Sequence, residues 1–352
     1  MTEADIREAL DAYWETLPVN NTHCHHLTDE WFSDAGLHKL ISMSYNSWIC
    51  PPFEDNEAGW DFYFDRMGVN SYAYWLTKAY GILYGNGTRL TAENRAAIDA
   101  AVRAAYAADP QRHSRMLTEV CHYDHVVLDD YMNPGSTHGL ACVRPTFRTD
   151  MFLFGYSKTG TDENHNCAWN YFESEPETWE AYIDEMEKAV VRKLRENGAH
   201  SLKLAVAYER GLDFTDFDED CARAAFLNPA PTDEQKKAFA DCTVDRLCRI
   251  AAKYGIPYQI HTGLGQLNKT NAMSLPPLIR RSPETKFVIF HCSFPWTDDA
   301  IALGHNFGNV YPDLCWLPLL SPAEAEQFLA RALDTLDAHR LTWGCDTWTA
   351  EE

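Results

Sequence analysis

Residues 257–293, "PYQIHTGLGQLNKTNAMSLPPLIRRSPETKFVIFHCS", decide how the rest of the chain is read. "PYQIHTG" (257–263) is a short apolar run that closes on polar residues, and "KFVIFHCS" (286–293) repeats the pattern. Between them "LPPLIRRSP" reads as a short helix. Parallel neighbours need a crossover, so strand, helix, strand is one βα unit of a parallel sheet. His261 and His291 close the two strands 30 residues apart. That is about one unit when eight units take roughly 250 residues.

The rhythm continues in both directions. C-terminally it predicts a helix near 297–306, the strand "NVYPDLCW" (309–316), the helix "SPAEAEQFLARALDTLD" (321–337) and the strand "RLTWGCD" (340–346). N-terminally it predicts the strand "HSLKLAVAY" (200–208) and a helix over about 232–254, with Thr232 as N-cap and Gly255 as the stop. Earlier strands are expected at 17–22, 125–130 and 140–145. Eight strands in alternation with helices predict an α/β fold, a (β/α)8 TIM-like barrel, treated as a single domain over 1–352. A doubly wound sheet is the alternative, but no Gly-rich phosphate loop follows the first strand. Residues 30–120 break the rhythm. They are aromatic-rich, with a helix at about 91–108. They are expected as a helical insertion after strand 1, either over the barrel mouth or as a subdomain with its own core. The chain stops six residues after Asp346, which predicts an incomplete C-terminus that lacks the helix normally covering strand 8.

The net charge is −22. It excludes docking on nucleic-acid phosphates or anionic lipid through basic patches and fits a hydrated protein acting on a small molecule. Eleven cysteines without a C-x-x-C pair argue against a disulfide framework or a Cys-based zinc site. The acidic N-terminus reads as an amphipathic helix rather than a signal peptide, and the cytoplasm is the default compartment. A homo-oligomer is compatible with the composition.

"NTHCHHL" (21–27) places His23 and His25 two apart at the end of strand 1, where they share a face. His26 faces away and reads as a bystander. His261, His291 and Asp346 end strands 5, 6 and 8, and Lys203 lies in strand 4 among apolar neighbours, where a lysine is expensive. Each alone has an ordinary structural reading. Together, four imidazoles, a carboxylate and a lysine at strand ends suit a divalent metal, zinc above all, with manganese or iron as alternatives.

These residues, with "SLKLAVAYERGL", "HCSFPW", "VVLDDY" and "VYPDLCWLPLLSP", resemble the amidohydrolase superfamily. The closest likeness is to its amidohydrolase-2 branch, in the form found in FluG and in nodulin/glutamine-synthetase fusions. The resemblance implies that His23, His25 and Asp346 bind one metal and that His261 and His291 bind a second. It implies that Lys203, carboxylated by CO2, bridges the two, and that an unmodified Lys203 means one ion. It implies a catalytic group of Asp346, His291 and Lys203, in which Asp346 moves a proton from metal-activated water to the leaving group. Arg144, Arg148, Tyr208 and Arg210 are candidates to hold a substrate carboxylate, and Trp316 to wall the pocket. The expected function is hydrolysis of an amide or similar C–N bond, a γ-glutamyl amide among the options. The alternatives are a mononuclear decarboxylase, hydratase or uronate-isomerase-like enzyme, or a non-catalytic barrel scaffold.

Overall fold

The computed structural model describes residues 2–349. Its strands are β1 (Val19–Cys24), β2 (Tyr123–Leu128), β3 (Val143–Arg148), β4 (Ser201–Leu204), β5 (Tyr258–Ile260), β6 (Phe287–Ile289) and β7 (Val310–Pro312). They follow one another in the sheet in chain order. Each pair from β3 to β7 is parallel, with Arg148 opposite Lys203, Lys203 opposite Gln259, Ile260 opposite Ile289 and Ile289 opposite Pro312. This is the α/β, TIM-like topology that the alternation predicts.

The eighth expected strand, 340–346, is reduced to one parallel bridge between Asp313 and Thr342. Its C=O groups still pair with the chain after β7, accepting from the Leu314 N–H at Thr342 O and from the Trp316 N–H at Gly344 O. The other strands are shorter than their apolar runs. β4 ends at Leu204 and Val206–Tyr208 forms a 3-10 turn, while β7 ends at Pro312 rather than 316.

Contacts group the chain into two compact units. Among the described residues, one runs to Val126 and adds His138–Val143 and residues 347–349; the other holds Val127–Thr137 and Arg144–Asp346. The aromatic-rich segment lies inside the first unit. It is helical over Glu57–Met67, Ser71–Tyr84 and Arg95–Ala108. Its own core includes Phe32, Trp60, Tyr63, Leu76, Tyr80 and Val102. Each such side chain contributes about 1.5–3 kcal/mol by leaving water.

The second unit's core is built by β3–β7 and the helices packed on them, with Phe147, Trp179, Tyr182, Phe239 and Tyr258 buried together. The helix Asp233–Tyr254 begins as its sequence predicts. Thr232 accepts from the Gln235 N–H while the Gln235 side chain reaches back to the Thr232 N–H. It ends at Gly255 with φ 69°, a left-handed stop that glycine adopts without a Cβ penalty. Thr297–Asn306 and Pro322–Thr335 match the two expected C-terminal helices.

Candidate metal centre

In the second unit β5 ends one residue before His261 and β6 two residues before His291. His261 is 6% and His291 1% exposed, and their rings lie 4.6 Å apart, edge to face. His261 Nε2 lies 2.7 Å from the Leu264 carbonyl, and His291 Nδ1 lies 2.9 Å from the Cys315 carbonyl. A carbonyl only accepts, so both of these nitrogens carry the proton. His261 Nδ1 and His291 Nε2 then face each other as lone pairs, 3.3 Å apart. Burial, with His291 and Lys203 adding, pushes the His261 pKa well below the usual histidine value, so the ring is neutral.

Two converging imidazole lone pairs are what a cation needs. Two zinc–nitrogen bonds of about 2.0–2.1 Å at a tetrahedral angle span about 3.4 Å. The carbonyl partners fix tautomer and ring orientation, as outer partners of metal-binding histidines do. A third donor group lies alongside. Ligand atoms of His291, Cys315 and Asp346 all fall within 4.8 Å of one another, and all three residues are buried. The donor set fits a divalent transition metal.

The backbone supports this placement with conformations that non-glycine residues seldom adopt. φ is 59° at His291, 63° at Trp316 and 62° at Asp346. Left-handed backbone of this kind costs about 1–3 kcal/mol per residue and persists where surrounding packing enforces it, most often at functional sites.

Lys203 is 2% exposed in β4. Its pKa is lowered to about 8, chiefly by burial, against the opposing pull of Asp129 and Asp346. Its Nζ lies 3.6 Å from the centre of the Phe290 ring, a cation–π contact. Tyr208 packs on His261 at 4.7 Å, and Trp316 meets His291 edge-on at 5.2 Å. These three expected residues, Lys203, Tyr208 and Trp316, therefore lie around the histidine pair.

The arginines expected to hold a carboxylate are placed differently. Arg148 closes β3, and its guanidinium contacts Asp129 at 2.7 Å and Asp150 at 3.5 Å. Burial opposes its charge, but the two carboxylates outweigh that and hold it protonated. Burial also raises Asp150 to about 7. Arg210 pairs with the buried Asp241 at 2.8 Å. Arg144 is the second residue of β3, four residues and about 13 Å before Arg148. It stands at the opposite strand end from the histidine pair, because register along the strand sets its height in the sheet.

His23 and His25 belong to the first unit. Their rings are 4.9 Å apart at 86°. His25 stacks on Trp348 at 5.4 Å, and its N–H bonds to the Thr347 carbonyl. His26 is buried with its ring 5.1 Å from that of His113.

The sequence reading passed over Asp129, Asp150 and Cys315. Asp129 and Cys315 had a legible signal, since each sits directly beyond an apolar run, in "VVLDD" and "VYPDLCW". Asp150 had none, because it acts through a 2.7 Å bond from the Ala205 N–H that only the fold creates.

Residues 182–348 match the amidohydrolase family. The chain is thus similar to amidohydrolases over a little under half its length. The match bears out the expected resemblance to the amidohydrolase superfamily and to FluG. The fluG protein of Emericella nidulans is 30% identical over 190 residues, covering 48% of this chain and 22% of that protein. The chain thus matches only about a fifth of the length of this curated relative. A uronate isomerase of Thermotoga maritima superposes with a TM-score of 0.71 at 16% identity, over 96% of this chain and 84% of its own. A protein from Lactobacillus casei titled a metal-dependent hydrolase gives 0.66 at 16% identity, over 97% and 85%. A glucuronate isomerase of Caulobacter crescentus gives 0.68 at 16%, over 95% and 81%. These likenesses are of fold.

Proposed function

We propose that this amidohydrolase-type domain is a metal-dependent hydrolase of a small molecule, acting on an amide or similar C–N bond. The observation that carries the reading is the pair of carbonyl-locked histidines at the ends of β5 and β6, with Asp346 and Lys203 beside them. A bound divalent cation, zinc by preference, would be held by His261, His291 and Asp346, and would supply Lewis-acid activation of water and of the scissile carbonyl.

The protein's own groups do the rest. The Leu264 and Cys315 carbonyls keep His261 and His291 in the tautomers that present lone pairs inward. Asp346 takes the proton of the attacking water and returns it to the leaving nitrogen. Lys203, near its titration point at neutral pH, supplies either positive charge or a neutral amine that CO2 can carboxylate. Tyr208 and Trp316 wall the site and limit water. Recognition of a substrate carboxylate by Arg148 or Arg210 has weaker support, since both already face carboxylates. The lysine in β4 favours hydrolysis over the isomerase reading. A cytoplasmic location fits this chemistry, and among the described residues no helix is long and apolar enough to cross a membrane.

The test is metal content by elemental mass spectrometry on protein purified without chelator, followed by hydrolysis of a panel of amides that includes γ-glutamyl amides. One or two transition-metal ions per chain and turnover of at least one amide are expected. Asp346→Asn should lower that turnover by at least about 100-fold with an unchanged circular dichroism spectrum. Wild-type rates in this variant, or folded protein that takes up neither zinc nor manganese, would overturn the reading.

A further inference from the structure

The geometry points to Cys315 as a metal ligand, its sulfur joining His291 and Asp346 on one cation. This rests on the metal-dependent reading above and goes beyond it, because the composition argued against cysteine ligation. Three observations carry it. The Cys315 sulfur, a His291 nitrogen and an Asp346 oxygen lie within 4.8 Å of one another, all buried. The residue is held in place from both sides. Its N–H donates to Asp313 Oδ1 at 2.7 Å, and Asp313 Oδ2 in turn accepts from the Thr342 hydroxyl at 2.7 Å. Its carbonyl accepts from His291 Nδ1 at 2.9 Å and from the Leu317 N–H at 2.8 Å. Finally, the left-handed backbone at His291, Trp316 and Asp346 sits at the three places where the chain turns these donors together.

Ligation breaks the S–H bond and forms a metal–sulfur bond. The proton leaves to solvent, and nothing is oxidised or reduced. The resulting thiolate has two consequences. A soft sulfur donor selects zinc or cobalt over manganese or magnesium. Thiolate and Asp346 carboxylate together balance a divalent charge, so one ion can be held without carboxylation of Lys203, whose Nζ lies over the Phe290 ring.

X-ray absorption of the full chain loaded with zinc tests this. A sulfur scatterer at about 2.3 Å is expected beside nitrogen and oxygen at about 2.0–2.2 Å. The cobalt-loaded protein should show a thiolate-to-cobalt charge-transfer band in the near ultraviolet. Cys315→Ser should lose both signals, while Cys345→Ser and Cys292→Ser keep them. Should Cys315→Ser fail to fold, persistence of sulfur in the other two variants makes the assignment instead. A shell of nitrogen and oxygen alone in metal-loaded wild type overturns the cysteine assignment and leaves the proposed function standing. Sulfur lost in Cys345→Ser or Cys292→Ser also overturns it. Folded protein that binds neither zinc nor cobalt overturns both.

Discussion

Lys203 sits in a setting with a calculable consequence. Its pKa falls from 10.5 to about 8, mainly because burial disfavours the ammonium. The unfolded chain therefore holds one more proton than the folded one between those two pH values, and stability rises with pH through that window. Below about pH 8 the full penalty applies, about 3 kcal/mol at about 1.4 kcal/mol per unit. Lys203→Met should thus stabilise the metal-free protein near neutrality and abolish the gain seen in wild type between pH 8 and 10.5. Urea denaturation of both proteins across that range checks this. A difference in stability that stays flat with pH would show that burial does not strain this ammonium. A lysine retained against such a penalty points to chemistry rather than packing, which agrees with its place beside the histidine pair.

At the scale of elements, the helix Asp233–Tyr254 shows how local signals and tertiary demands agree. Its capping box and its glycine stop are both written in the sequence and both formed. Thr232→Ala removes the side-chain acceptor from the first turn and should cost about 1 kcal/mol, read as a fall in the thermal midpoint with metal binding unchanged. Strand ends were less legible. The apolar runs marked where β4 to β7 start but not where they stop, because strand length depends on which neighbour supplies the next hydrogen bond. β5 and β6 keep only three residues each. The histidines consequently stand just past the ladder, where a turn rather than strand pleat aims the side chain. The positive φ at His291 is the clearest instance.

For the whole molecule, metal and fold should be coupled. A ligand that binds only the folded state at a hundredfold excess over its Kd stabilises by about 2.7 kcal/mol. Chelation should lower the thermal midpoint, and zinc should restore it more fully than manganese if sulfur is among the donors. Scanning calorimetry of stripped and reloaded protein measures both. An unchanged midpoint after verified metal loss would uncouple the site from folding. The division of the chain at Val126, with later segments returning to the first unit, was not visible in the sequence. No linker of distinctive composition marks it, since the return of His138–Val143 and of residues 347–349 is made by long-range contacts.

What the sequence by itself determined is the alternation of strand and helix, the helix caps, the resemblance to the amidohydrolase superfamily, and the candidacy of His261, His291, Asp346 and Lys203. Each of these is a local pattern or a residue choice, and such patterns survive without knowledge of neighbours. What only the tertiary structure decided is which nitrogen each histidine presents, that Arg148 and Arg210 already face carboxylates, and that Cys315 lies beside His291 and Asp346. Apart from His261 and its Leu264 partner, those depend on groups 19 to 31 residues apart, as in Arg148 with Asp129, His291 with Cys315 and Arg210 with Asp241. Hydrogen bonds at such separations exist only once parallel strands set side by side have brought their ends to one place.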